Sequence, residues 1–468
     1  MGISVYIFIC SYLGSHLNTD NGVSIKGVLS RKANKIIRRR KNMRKTFKVL
    51  AMILVIALAL SIVVATVACK PGEETANEVE LPAYAVENPD YSALVIPADF
   101  KIGLICLHDE NSTYDKNFIE ALNETQQLFG LTDEQVLIVT GVPEGDECYQ
   151  EAAKLADAGC DIIFADSFGH ETYMIKAAKE FTDVQFCHAT GTKAHTENLP
   201  NYSNAFASIY EGRFLAGVAA GMKLNEMIAD GQFTAEEAQM GYVGAWTYAE
   251  VISGYSSFYL GAKSICPTVT MEVEFTGSWY DETAEFNTAN KLINNGAKLI
   301  SQHADSWGAP NACEEAGVPN VSYNGSTESA CPNTFIVSSR IDWSPYYNYV
   351  IEQVQAGEAV AYDWVGTLSN GGVKLTNLGA IAPAEGTATV LDTKKAELIA
   401  GTLKVYDTAT FTVNGAALTT YPVDLDSDAA TPDTEAIVDG VFQESVYRSA
   451  PYFDLTIDGI TLLDTNFG

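Results

Sequence analysis

The chain has 468 residues, 47% hydrophobic and 19% charged, which is enough length and apolar content for two or three domains with cores of their own. Charge is segregated: 11 of the 29 Lys and Arg lie in residues 1–69, where Asp20 is the one acidic residue, so almost all of the 59 Asp and Glu fall on the remainder. A body that acidic repels phosphate backbones and anionic headgroups, which argues against nucleic acid as a partner.

In chain order, residues 1–42 make a poor leader and read as an upstream extension. MRKTFKVLAMILVIALALSIVVATVACK (43–70) has Arg44, Lys45 and Lys48 before an apolar run that ends in small residues, the pattern of an export signal. Cys69 stands where a bacterial lipobox carries its lipidated cysteine, although Thr66 occupies the usual leucine position. The competing reading is an uncleaved anchor, since residues 49–68 nearly suffice to span a bilayer. Either reading puts the body outside the cytoplasm, and the first anchors it to the outer face of the cell membrane by lipid. Residues 70–97 are acidic and without periodicity, as in a tether.

From about residue 98, short apolar runs alternate with longer amphipathic ones. FKIGLICL (100–107), EQVLIVTG (134–141), DIIFAD (161–166) and VQFCHAT (184–190) predict strands, with helices near 114–129, 147–158 and 170–180. NAFASIY (204–210) and a helix near 211–229 follow. The pattern then restarts with MGYVGAW (240–246), TMEVEFTG (270–277), AKLISQHA (297–304) and residues 318–324, with helices near 248–263 and 282–295. Such alternation predicts α/β architecture with two successive parallel sheets built of right-handed crossovers. TFIVSSR (334–340) and a helix over 343–357 are expected to return the chain to the first lobe. The predicted lobes are 98–207 with 337–365, and 208–336 with 366–405; residues 406–468 read as a β-rich appendage.

Ligands of open parallel sheets bind beyond the carboxyl ends of the strands. The residues collected there are polar and aromatic: His108 and Asp109, Asp166 to Phe168, His188 to Thr190, Trp246, Trp279, His303 to Trp307, and Tyr323 with Asn324. Rings beside amides and carboxylates suit a flat, neutral, hydrogen-bonding ligand. Competing structural roles are open for several of them. His303 and Asp305 read as a catalytic dyad or as caps of the next helix, Asp109 as a turn residue, and Phe118 and Trp279 as core. Trp343, Tyr346 and Tyr347 share a helical spacing that favours packing. No G-x-S-x-G, H-E-x-x-H or Walker pattern occurs, so no enzyme activity and no cofactor are expected. Seven cysteines remain after Cys10 and Cys69; without C-x-x-C pairs they predict no metal site, and an odd number leaves room for one disulfide but not for full pairing.

The export signal with its lipobox, DKNF (115–118), NYSNAFASIYEGRFLAGVAAG (201–221), GYSSFYLGAKSICP (254–267), GSWYD (277–281), QHADS (302–306) and SSRIDWSPYY (338–347) together resemble the basic membrane protein family of substrate-binding lipoproteins, over roughly residues 98–405. The resemblance implies a periplasmic-binding-protein type I fold, two doubly wound lobes joined by a three-segment hinge. It also implies an ABC importer with a permease and a separate ATPase as partners, and a purine nucleoside or purine base as ligand. Carried over by position, Asp109 and Phe118 hold the family's spacing between a strand-end aspartate and a base-stacking phenylalanine. Trp279 is similar in place to the second stacking ring, Thr190 and Asn324 stand where the nucleoside receptors have aspartates, and Arg340 answers a lysine. With the strand-end reading, the candidate contacts are Asp109, Tyr114, Phe118, Asp166, Phe168, Thr190, Trp246, Trp279, His303, Asp305, Trp307, Asn324 and Arg340. A sensor uncoupled from transport and a sugar receptor are the alternatives.

Overall fold

The predicted apolar runs become short strands separated by helices in the computed structural model, which describes residues 89–91, 94–426 and 430–466. The first five are β1 (Ile102–Ile105), β2 (Val136–Val139), β3 (Ile162–Ala165), β4 (Gln185–Ala189) and β5 (Tyr202–Ala207). The second set is β6 (Gln239–Gly244), β7 (Thr270–Phe275), β8 (Leu299–His303), β9 (Asn320–Tyr323) and β10 (Phe335–Ile341). Later come β11 (Asp363–Gly366) and β12 (Val373–Leu375), the two-residue strands β13 (Pro422–Val423), β14 (Thr434–Glu435), β15 (Ile437–Val438) and β16 (Val441–Phe442), and β17 (Ile460–Leu462).

Two sheets result. The first runs β11-β5-β4-β3-β1-β2 and is parallel throughout. The second runs β12-β10-β9-β8-β6-β7-β17, with only β12 antiparallel. In each lobe the first strand lies between the second and the third, the 2-1-3-4-5 order of doubly wound folds, so each has a switch point: β1/β3 in one, β6/β8 in the other. Strands covered on both faces need apolar side chains at every position, and β1 (IGLI) and β3 (IIFA) are buried along their whole length.

Parallel strands require crossovers, here supplied by α1 (Thr113–Phe129), α2 (Asp146–Asp157), α3 (Glu171–Glu180) and α4 (Ala194–Glu197) in the first lobe. Helix α5 (Ile209–Ala229) leads from β5 to β6 between the sheets; the second lobe's crossovers are α6 (Ala249–Ile265), α7 (Glu282–Asn294) and α8 (Gly308–Ala316), with α9 (Ser344–Ala356) and α10 (Thr387–Ile399) further on. Helices α5 and α6 are buried nearly all round and meet backbone to backbone: a Cβ on Gly217 would lie 2.0 Å from the Phe258 carbonyl oxygen, and one on Gly261 2.0 Å from that of Phe214.

Two expectations change. Residues 335–341 stay in the second sheet beside β9, so the chain recrosses only after Ile341, through Asp342 and Trp343 into α9, which packs on α1. The C-terminal segment is mostly irregular, and β17 joins the second lobe as an edge strand parallel to β7. Cys106, Cys148, Cys160, Cys187, Cys266, Cys313 and Cys331 are all free and buried, so the disulfide left open above is not formed. No helix among the described residues is long and apolar enough to cross a membrane, and residues 43–70, including Cys69, lie outside the described residues.

Candidate functional site

Helix α1 starts where Ser112 caps it, accepting from the Asp115 backbone N–H. The same turn folds Asp115 inward, so that its carboxylate accepts from the His108 backbone N–H at 2.7 Å and from Ser112 Oγ at 2.6 Å. Burial opposes ionisation of Asp115, yet the donors from His108 and Ser112 win and hold its pKa below the ordinary carboxylate value. Asp166, just past β3, accepts from the Leu107 N–H at 3.1 Å and has its second oxygen unpartnered. Its pKa is driven well up, first by burial and then by the charge on Asp115. The pair is thus biased in opposite directions, Asp115 towards its charged form and Asp166 towards its protonated one. Cys106 approaches both, but burial pushes its thiol well up as well, which leaves a neutral thiol and a neutral acid in poor shape to hold a metal.

Asp115 faces a cavity between the lobes. Leu107, His108, Tyr114, Ser167, Phe168 and Thr190 line it from the first lobe; Glu250, Trp279, His303, Asp305 and Tyr323 line it from the second. Residues after both switch points thus meet across one cleft, and no lysine or arginine is among the lining residues. The cleft is closed: Thr113 donates from its backbone N–H to the Asp305 carbonyl at 3.0 Å, and Asn117 Nδ2 donates to Asn324 Oδ1 at 3.2 Å.

On the second lobe, burial pushes the Asp305 carboxyl well up, helped by Asp115, Glu285 and Glu250, so it enters the wall as a neutral donor. His303 is kept neutral by burial; its Nε2 lies 3.4 Å from Glu250 and its Nδ1 side packs on Gly254. Its partner is therefore Glu250 and not Asp305, and neither caps α8, where Ser306 Oγ takes the Gly308 N–H. Tyr323 is buried with its hydroxyl unpartnered. Behind its ring, 5.0 Å from the centroid, sits Arg213, fully buried and bonded to Tyr242, Ser301, Ser339 and the carbonyls of Gln302 and Ser322. One cation thereby joins β6, β8, β9 and β10 just behind the cavity.

Of the thirteen candidate contacts, Tyr114, Phe168, Thr190, Trp279, His303 and Asp305 lie on the wall. Thr190 adopts a left-handed φ of 67°, a strained state for a β-branched residue. The other seven sit elsewhere. Phe118 is 2% exposed and stacks on Trp343 at 4.3 Å, because α1 turns that face towards α9 and the core. Asp109 is exposed and closes a turn by accepting from Asn111. Asp166 lies behind Asp115. Trp246 stacks on Tyr248 at 6.0 Å, Trp307 occupies the N-cap position of α8, Asn324 is tied to Asn117, and Arg340 pairs with Glu120 at 3.7 Å. Trp343, Tyr346 and Tyr347 are core, as their spacing suggests. Asp115 and Glu250 were missed because they sit in first helical turns and not at strand ends; the S-x-x-D spacing of Ser112 and Asp115, a capping signal, was the available clue.

The buried acids make stability depend on pH. Burial pushes Glu211, Glu285 and Glu444 up to about 7, and Asp166 and Asp305 well up, so the folded chain holds protons that the unfolded chain releases above its ordinary carboxylate pKa. That stabilisation is lost as pH rises through the folded pKa values. Buried His170, His188 and His303 act oppositely below their ordinary pKa, but three such groups do not outweigh five acids. The melting temperature is expected to be higher at about pH 5.5 than at about pH 8 in matched salt. A higher value at the alkaline end would contradict this assignment of buried protons.

With this geometry, comparison with known proteins is decisive. The family described as ABC transporter substrate-binding protein PnrA-like, Bmp, matches residues 104–408. The chain belongs to the Bmp family. That description is of a family of substrate-binding proteins of ABC transporters. This Bmp protein is 32% identical over 251 residues to a purine-binding protein of Brucella abortus, covering 54% of this chain and 64% of that one. It is likewise 32% identical over 216 residues to a Haloferax volcanii protein assigned a glucose-binding role in an ABC transporter, covering 46% and 51%. The chain thus spans less than two thirds of the length of these curated relatives. Among solved structures, a solute-binding protein of Conexibacter woesei shares the fold at 21% identity and a TM-score of 0.54, over 65% of this chain and 98% of that one. One from Aeropyrum pernix does so at 16% and 0.55, over 65% and 92%.

Proposed function

We propose that this Bmp protein captures a purine, as the free base in preference to the nucleoside, and delivers it to a membrane permease driven by a separate ATPase. The supporting observation is the composition of the wall: the rings of Tyr114, Phe168, Trp279 and Tyr323 surround an ionised acceptor, Asp115, and neutral donors at Asp305 and Tyr323, with no lining cation. Rings stack on the faces of a flat heterocycle while the polar groups read its edge. Asn324 stands where the nucleoside receptors carry a ribose-binding aspartate, but it offers no carboxylate and its Oδ1 already accepts from Asn117, which leaves only its Nδ2 unpartnered. The loss of that ribose acceptor favours a base. The export signal at 43–70, lipidation of Cys69 and attachment to the outer face of the cell membrane complete the reading.

A sugar receptor is the second reading, favoured by the Haloferax volcanii relative. A thermal-shift series with hypoxanthine, adenine, guanosine, adenosine, ribose and glucose separates the two. A ligand present at 100 times its Kd stabilises the native state by about 2.7 kcal/mol, a readily measured rise. Hypoxanthine or adenine should raise the melting temperature, and Trp279→Ala should abolish the rise while the ligand-free protein stays folded. A shift with glucose or ribose and none with any purine would overturn the proposal.

A further inference from the structure

Residues 409–426 and 430–466 lie beyond the matched family region, yet they are built into both lobes. Tyr406 stacks on Phe453 at 4.3 Å and, with Phe411 and Phe442, forms a local aromatic core, while β17 extends the second sheet. Between these lies ESVYRS (444–449). The buried Glu444 accepts from Ser253 Oγ in α6, where Tyr406 also donates to the Ser253 carbonyl at 2.7 Å. Ser445 Oγ is 2.9 Å from Ser208 Oγ, at the first crossing between the lobes. Ser449, fully buried, donates from its backbone N–H at 2.8 Å and its hydroxyl at 2.7 Å to Asp363 Oδ1 at the start of β11 in the first sheet. The other Asp363 oxygen is 3.1 Å from His195 Nδ1, and His195 Nε2 is 3.1 Å from the Leu425 carbonyl oxygen, a second attachment of the segment to the first lobe.

We propose that residues 444–449 form a fourth, non-covalent tie between the lobes that favours the closed cleft. Three covalent crossings, after β5, β10 and β11, leave the lobes free to rotate as a hinge. The tie spans from Ser253 on one lobe to Asp363 on the other with only four residues between its end anchors, Glu444 and Ser449. Opening must stretch it or release Ser449 from Asp363. It also grips the cavity wall from behind, because the helical turn that holds Ser253 carries Glu250, and the adjacent Gly254 packs on His303.

Small-angle X-ray scattering of the ligand-free, full-length protein tests this without any assumption about the solute. Asp363→Asn combined with Ser449→Ala should lower the closed-to-open ratio about tenfold and enlarge the radius of gyration. Ser449→Ala alone, which keeps the backbone donor, should give an intermediate value and decides the matter if the double variant does not fold. Superimposable scattering curves for wild type and folded variants would overturn the tie.

Discussion

Replacing Gly217 by alanine is expected to cost about 3 kcal/mol, near the top of the range for overpacking, although only one methyl group is added. Its Cβ would sit 2.0 Å from the Phe258 carbonyl oxygen, and a backbone atom cannot swing aside as a side-chain tip does. Relief requires α5 and α6 to separate. That separation is resisted by the reciprocal contact of Gly261 with Phe214 and by the tight approach of Gly221 to Ala262, where an added Cβ would lie 2.6 Å from the carbonyl oxygen. It would also disturb Arg213, which projects from α5 and holds the strands behind Tyr323. Urea unfolding of the variant should show the midpoint shifted at unchanged slope. A loss below about 1 kcal/mol would mean that the two helices are not rigidly seated.

Asp115→Asn should weaken purine binding about 10- to 100-fold, whereas Asp166→Asn should change it little. A hydrogen bond to a charged group contributes roughly 1.5–3 kcal/mol, and Asp115 is the carboxyl that keeps its charge at the cavity wall. Asp166 is already neutral and lies behind it, so an amide of the same shape replaces a protonated acid at small cost. Calorimetric titration of both variants with the most stabilising purine of the thermal-shift series checks the pair. The reverse ranking would place the charge on Asp166 and reverse the assignment of the two acids.

The strand ends were readable because a parallel strand buried on both faces shows itself as an apolar run, and the first polar residue after it marks the mouth of the cleft. Six of thirteen candidate contacts on the cavity wall came from that rule or from the helix beside it. Phe118 was misplaced because spacing from a strand end locates a residue along a helix but not which of two partners its face meets; α9, distant in sequence, took that face through Trp343. Glu250 had no local signal at all, since it reaches the wall only by the way α6 crosses β8.

By itself the amino-acid sequence determined what depends on neighbouring residues: two doubly wound lobes, their order, the acidic body and the family. These follow from periodicity and from motifs read over a few turns. Only the tertiary structure decided which strand ends share one cavity, that Asp115 and not Asp109 faces it, and that Asp166 and Asp305 are neutral there. It alone showed that the C-terminal segment joins both lobes. Charge state and closure arise from desolvation and from contacts between residues as far as 237 positions apart, and no short-range pattern encodes them.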